Sequence, residues 1–93
     1  MPSSFNRFEG LSMFDDKGEV KRLVERLLQD RDPDVAIEGL RKMDFSYIFT
    51  LRKRGRIREC ELLRNEIDDS WGWRNGNIDE SLQGKVEKIV TDF

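Results

Sequence analysis

The side chains able to do chemistry in this 93-residue chain are carboxylates, guanidiniums and one thiol, because there is no histidine. Without an imidazole, Ser-His-Asp and Cys-His triads and histidine-bearing zinc sites are excluded. Cys60 stands alone, so it can form neither an internal disulfide nor a four-cysteine zinc site. It is expected to pack as a half-buried helix residue, and one unpaired thiol fits a reducing compartment. The spacing Asp30-x-Asp32-x-Asp34 has the first three ligand positions of an EF-hand loop. Its sixth position, which needs glycine, is Val35, and its twelfth, which needs a bidentate glutamate, is Arg41, so calcium is rejected. Gly72 and Gly76 lie in no Gly-x-Gly or Walker pattern, so no loop cradles phosphate. The carboxylate groups Asp15/Asp16, Asp68/Asp69 and Glu59/Glu61/Glu66 follow from having 19 acids. A metal set on Glu59, Glu66 and Asp69 is disfavoured, since helix-borne carboxylate sites usually recruit histidine too. An enzyme would have to work with carboxylates, arginine, Tyr47 or Cys60, and so short a chain leaves little room for a pocket. The expectation is a protein that is not an enzyme and holds no metal or cofactor.

The strongest anomaly is charge. Arg52, Lys53, Arg54, Arg56 and Arg58 stand within seven positions and no acid interrupts them. Such a block can contact phosphate by counterion release, or read carboxylates on an acidic protein bidentately. It can also be a solvated helix face paired with Glu59 and Glu61. On a helix, Arg52–Arg56 and Arg54–Arg58 would be like-charge pairs, each unfavourable by roughly 0.2–0.5 kcal/mol. A second feature is Trp71-Gly72-Trp73-Arg74 in a polar stretch. Either its indoles close the core, or they form an aromatic anchor for a partner or a base-stacking platform.

The elements expected to position these residues are helical. Val20, Leu23, Val24, Leu27 and Leu28 fall on one face of a helix over 17–30, with Asp15 and Asp16 at its start. Asp32-Pro33-Asp34 signals a second helix running to about Met43, with Val35, Ala36, Gly39, Leu40 and Met43 inward. Phe45, Ile48, Phe49 and Leu51 begin a third, and Cys60, Leu62, Leu63 and Ile67 resume the stripe. Residues 45–68 are one helix or two, with a break near Gly55 favoured. Residues 68–77 form a loop, and Asn77 or Asp79 caps a last helix with Leu82, Val86, Ile89, Val90 and Phe93 inward. No stretch of four or more residues alternates cleanly as a strand would. The fold class expected is all-α, a small bundle of four to five helices over 17–93, preceded by an irregular aromatic arm over 1–16. In that arm Phe5, Phe8, Leu11 and Phe14 fall three apart; it packs on the domain or serves self-association.

Residues 17–43 read as helix, acidic proline-containing turn and helix: Leu27-Leu28, then Asp30-Arg31-Asp32-Pro33-Asp34-Val35. This resembles a single HEAT repeat, with Val35, Gly39 and Met43 at its valine, small and apolar positions. Ala36 stands where that repeat carries a basic residue, and residues 44–93 do not repeat the pattern. The resemblance implies a helical hairpin that binds partners through helix faces.

Function is expected to lie in interaction. Bases number 17 and acids 19, giving a net charge of -2, but the basic block contrasts with the stretch from Asp68 to Phe93, which leans acidic. The expectation is a small cytoplasmic module that binds an acidic partner surface, or a second copy of itself. Its binding residues would be Arg52, Lys53, Arg54, Arg56 and Arg58, joined by Trp71, Trp73 and Arg74 if the two features share a surface. The alternative is a nucleic-acid-binding helical domain that uses Arg52–Arg58 for phosphate contacts. The pI of 5.2 sets the protein partner first. No signal peptide and no membrane span are expected, since apolar runs stop at three residues.

Overall fold

The computed structural model describes residues 12–93, so the part of the aromatic arm before Ser12 lies outside the described residues. From Ser12 onward, a short 3₁₀ turn at Met13–Asp15 leads into α1 (Lys17–Arg31). A three-stranded meander follows: β1 (Ala36–Lys42), β2 (Ser46–Lys53) and β3 (Arg56–Leu63). Then come α2 (Arg64–Asp68), a 3₁₀ turn at Trp73–Asn75, and α3 (Glu80–Thr91). The sheet is antiparallel in the order β1-β2-β3.

The first and last helices stand as the sequence predicts. The Asp16 side chain accepts the Glu19 N–H and caps α1, whose Val20, Leu23, Val24, Leu27 and Leu28 are all buried. Asp79 caps α3 by accepting the Leu82 N–H, and Leu82 and Val86 are buried beneath it. Each cap pairs an otherwise orphan N–H with a carboxylate, where the helix dipole also favours negative charge.

The middle of the chain overturns the all-α helical bundle. The helix expected from Asp32 to Met43 is strand β1, so the HEAT-like helical hairpin does not form. The helix or helices expected over 45–68 are β2, β3 and only the short α2. The reason lies in what each side chain faces. Tyr47, Phe49 and Leu51 sit at period two on one face of β2, each at most 1% exposed. Burying side chains of this size is worth roughly 1.5–3 kcal/mol each. Their partners across the ladder are Leu62, Cys60 and Arg58, and Leu40 and Lys42 of β1 lie opposite Phe49 and Tyr47. A helix over 45–51 would instead scatter these aromatics around its axis. Cys60 is therefore buried in a strand rather than half-buried in a helix.

The reversal between β2 and β3 takes two residues. Arg54 has φ 52° and Gly55 has φ 82°, the paired left-handed conformations of a type I′ hairpin. That geometry matches strand twist and brings Lys53 opposite Arg56. In β1 the register slips between Ile37 and Gly39, leaving Glu38 as a bulge. The core lies between the inner sheet face and the helices α1 and α3. Tyr47 is anchored there by its hydroxyl, which donates to the Phe14 carbonyl at 2.5 Å.

A Cβ at Gly55 would meet no atom, so its substitution tests backbone conformation alone. Gly55→Ala is expected to destabilise the domain by about 1 kcal/mol through left-handed strain. Urea unfolding would show this as a lower midpoint at unchanged slope. A helix through residue 55 would instead gain stability from that alanine.

Candidate interaction site

The predicted basic block is the tip and shoulders of the β2–β3 hairpin. Three of its cations are already engaged by the acids of the α1–β1 connection and β1. The Arg52 Nη2 donates to Glu38 Oε1 at 2.9 Å while its Nε donates to the other carboxylate oxygen. Lys53 donates to Asp32, and Arg54 lies 3.7 Å from Asp34. The Arg52 hydrogen bond holds the Glu38 carboxyl below its usual range, and the Lys53 hydrogen bond does the same for Asp32. Asp32 and Asp34, which the sequence suggested as helix-start residues, thus meet the block across the fold. Arg56 and Arg58 differ. Arg56 donates to the Phe93 carbonyl at 3.4 Å, and the Arg58 guanidinium sits 5.9 Å from the Phe93 ring.

The tryptophan loop separates into parts with different surroundings. Trp73 is 6% exposed and belongs to the core, whereas Trp71 is 48% exposed. Arg74 stacks 4.3 Å from the Trp73 ring and its Nη2 donates to Glu19 at 2.8 Å. The hairpin tip and this loop do not meet. The eight residues of β3 separate them, roughly 26 Å at 3.3 Å per residue.

Among the described residues Glu66 is the most buried charged side chain, at 4% exposure. Burial alone would raise its pKa. Lys85 at 2.8 Å, the Ser81 hydroxyl and the Leu63 N–H outweigh that and hold it below the usual range. The Ser70 hydroxyl donates to the Glu66 carbonyl and accepts from the Asp79 N–H, tying α2 to the start of α3. Both carboxylate oxygens and the carbonyl of Glu66 are thus used inside the fold. The Cys60 thiol is pushed up to about 11, chiefly by burial, which leaves it a poor nucleophile. Among the described residues no three potential ligands cluster as a metal site.

What the sequence did not indicate is a groove between α1 and the outer edge of β1. At one end, Lys17, Gly18 and Lys21 face Ile37, Glu38, Gly39 and Leu40 around a cleft of 370 Å³. At the other, Glu25, Leu28 and Gln29 face Pro33, Val35, Ala36 and Ile37 around 480 Å³. Ile37 lines both, so the two clefts adjoin along the strand. Among the described residues Lys17 and Lys21 have no ion-pair partner, and neither do Arg56, Arg58 and Lys88. Glu38 enters the groove wall, but Arg52 already holds its carboxylate. Only a correct strand assignment could have found this place, because Lys17 and Lys21 look like any wet helix face until β1 lies beside them.

Two measurements check this description. The Glu66 carboxyl has a folded pKa below the 4.5 of an unconstrained glutamate. Its stabilisation is therefore complete at neutral pH and is lost as pH falls through the folded value. Glu66→Gln should lower the urea midpoint at pH 7, with the gap to wild type closing as pH falls below 4.5 and through the folded value. Cys60 should resist a thiol reagent in the native state and react fully once urea unfolds the chain. Set against known proteins, this chain matches no family model, no curated protein and no solved structure.

Proposed function

We propose that this domain is a protein-interaction module that binds an acidic segment of a partner protein. The observation that supports it most is the groove between α1 and β1. It offers two ammonium groups, Lys17 and Lys21, unpaired among the described residues, beside the partly buried apolar side chains Ile37 and Leu40. Charge complementarity of this kind steers encounter and selects the partner, while apolar contact supplies affinity. The basic hairpin plays a smaller part than its sequence suggests, because Asp32, Asp34 and Glu38 balance three of its cations. A cytoplasmic location belongs to this reading and rests on the free, buried Cys60. No described helix is long and apolar enough to cross a membrane.

One feature favours the nucleic-acid alternative. Arg56 and Arg58 have no carboxylate partner among the described residues, and Arg54 beside them is 80% exposed. Against it, the chain's pI of 5.2 lacks the basic signature usual for nucleic-acid-binding domains.

Binding assays with an acidic peptide, its lysine-for-glutamate counterpart, and duplex and single-stranded nucleic acid distinguish the two. The acidic peptide alone should bind. Lys17→Glu/Lys21→Glu should weaken it by about a hundredfold, a tenfold loss per charge contact, while Arg56→Glu/Arg58→Glu leaves it nearly unchanged. Nucleic-acid binding lost with Arg56→Glu/Arg58→Glu would establish the alternative instead.

A further inference from the structure

We propose that the acidic segment binds as a fourth strand on the free edge of β1, its acidic half against Lys17 and Lys21 and its apolar half against Leu28, Val35 and Ile37. This rests on the acidic-partner reading and specifies how that partner is held.

The hydrogen-bond phase of β1 identifies the free groups. The Met43 N–H donates to the Ser46 carbonyl at 2.7 Å, closing the β1–β2 turn. In an antiparallel ladder, bonded and non-bonded pairs alternate. Arg41 and Gly39, opposite Ile48 and Thr50, therefore point their main chain at β2. Leu40 and Lys42 point theirs away from the sheet. Among the described residues no main-chain group outside the sheet bonds to the stretch 36–42. An unpaired row of this kind is the template used in β-strand addition, where main-chain bonds give affinity and alternate side chains give specificity.

The groove has the dimensions of one short strand. From Lys17 to Gln29 along α1 is roughly 18 Å at 1.5 Å per residue. From Val35 to Leu40 is roughly 17 Å at 3.3 Å per residue. The two run antiparallel, since Lys17 and Lys21 share a cleft with Leu40 while Leu28 and Gln29 share one with Val35. A segment of about six residues fills that length. Its side chains alternate, so about three enter the groove. The groove also has a polarity. Its cations lie at the Leu40 end, and its one uncommitted acid, Glu25, lies at the Val35 end with the apolar groups. An incoming strand is therefore acidic at one end only. The Glu38 bulge interrupts the ladder between the two halves, which confines regular pairing to Leu40 and Lys42, beside the lysines.

The probe is an eight-residue blocked peptide, alternating glutamate and threonine in one half and valine and threonine in the other, so that glutamates and valines share one face, made in both chain directions. Each is also made N-methylated at one or the other alternate set of amides. This alters hydrogen bonding without touching the protein, so folding is not in question. For the direction that binds, one methylated set should lose at least about tenfold in affinity and the other should bind as the parent does. Amide exchange of Leu40 and Lys42 should slow by about tenfold or more on binding. If both methylated sets bind like the parent and those amides are unchanged, while Lys17→Glu/Lys21→Glu still abolishes binding, strand addition is overturned and the acidic-partner reading survives. If no acidic peptide binds in either direction, both fail together.

Discussion

Arg54 and Gly55 both hold positive φ, and that two-residue reversal sets the register of β2 on β3. Once Lys53 faces Arg56, every later pair follows. Leu51, Phe49 and Tyr47 must share a face with Arg58, Cys60 and Leu62. A slip of one residue would send the buried aromatics to the solvent side. The same reversal carries Arg52, Lys53 and Arg54 back to the acids that follow α1, so the fold and its charge pairing have one origin. With β1 added as the third strand, α1 and α3 cover the inner face, and among the described residues the edge of β1 stays open.

The outer elements were legible because their signals are local. Asp16 and Asp79 cap helices whose apolar stripes repeat at helical period, and both helices form where that pattern places them. The strands were hidden by their surroundings. In β2, Ile48 is apolar on the face opposite Tyr47, Phe49 and Leu51, which blurs the alternation. In β3, Arg58 takes an inward position across from Leu51, so only Cys60 and Leu62 remain as apolar markers. Gly39 and Val35 fitted a helical repeat by spacing alone; in the sheet Gly39 lies opposite Thr50. The run Tyr47-Ile48-Phe49-Thr50, aromatic and β-branched throughout, was the available strand signal. Arg54-Gly55 gave no familiar hairpin sequence, since the first left-handed position more often carries asparagine or aspartate.

Charge changes meaning once the topology is known. A block of five cations looks like a binding surface when its neighbours in sequence are its only context. Across the hairpin, Asp32, Asp34 and Glu38 answer Arg52, Lys53 and Arg54, which relieves the like-charge crowding expected of the block. Exposed pairs of this type contribute little to stability. Their effect is to remove those cations from the list of free ones. Of the predicted binding residues, Trp73 serves the core and Arg74 serves Glu19, while Arg56 and Arg58 stay beside Phe93. Lys17 and Lys21 acquire significance in the same step, because a strand edge whose outward donors and acceptors are unpaired among the described residues lies next to them.

Residues 36–63 form a meander whose β1 edge is open among the described residues. Residue-by-residue amide exchange on the free protein checks both features at once. Slow exchange is expected throughout β2. Along β1 the expected pattern alternates, slow at Gly39 and Arg41 and fast at Leu40 and Lys42. Uniform protection across 36–42, or continuous helical protection from 45 to 68, would contradict it.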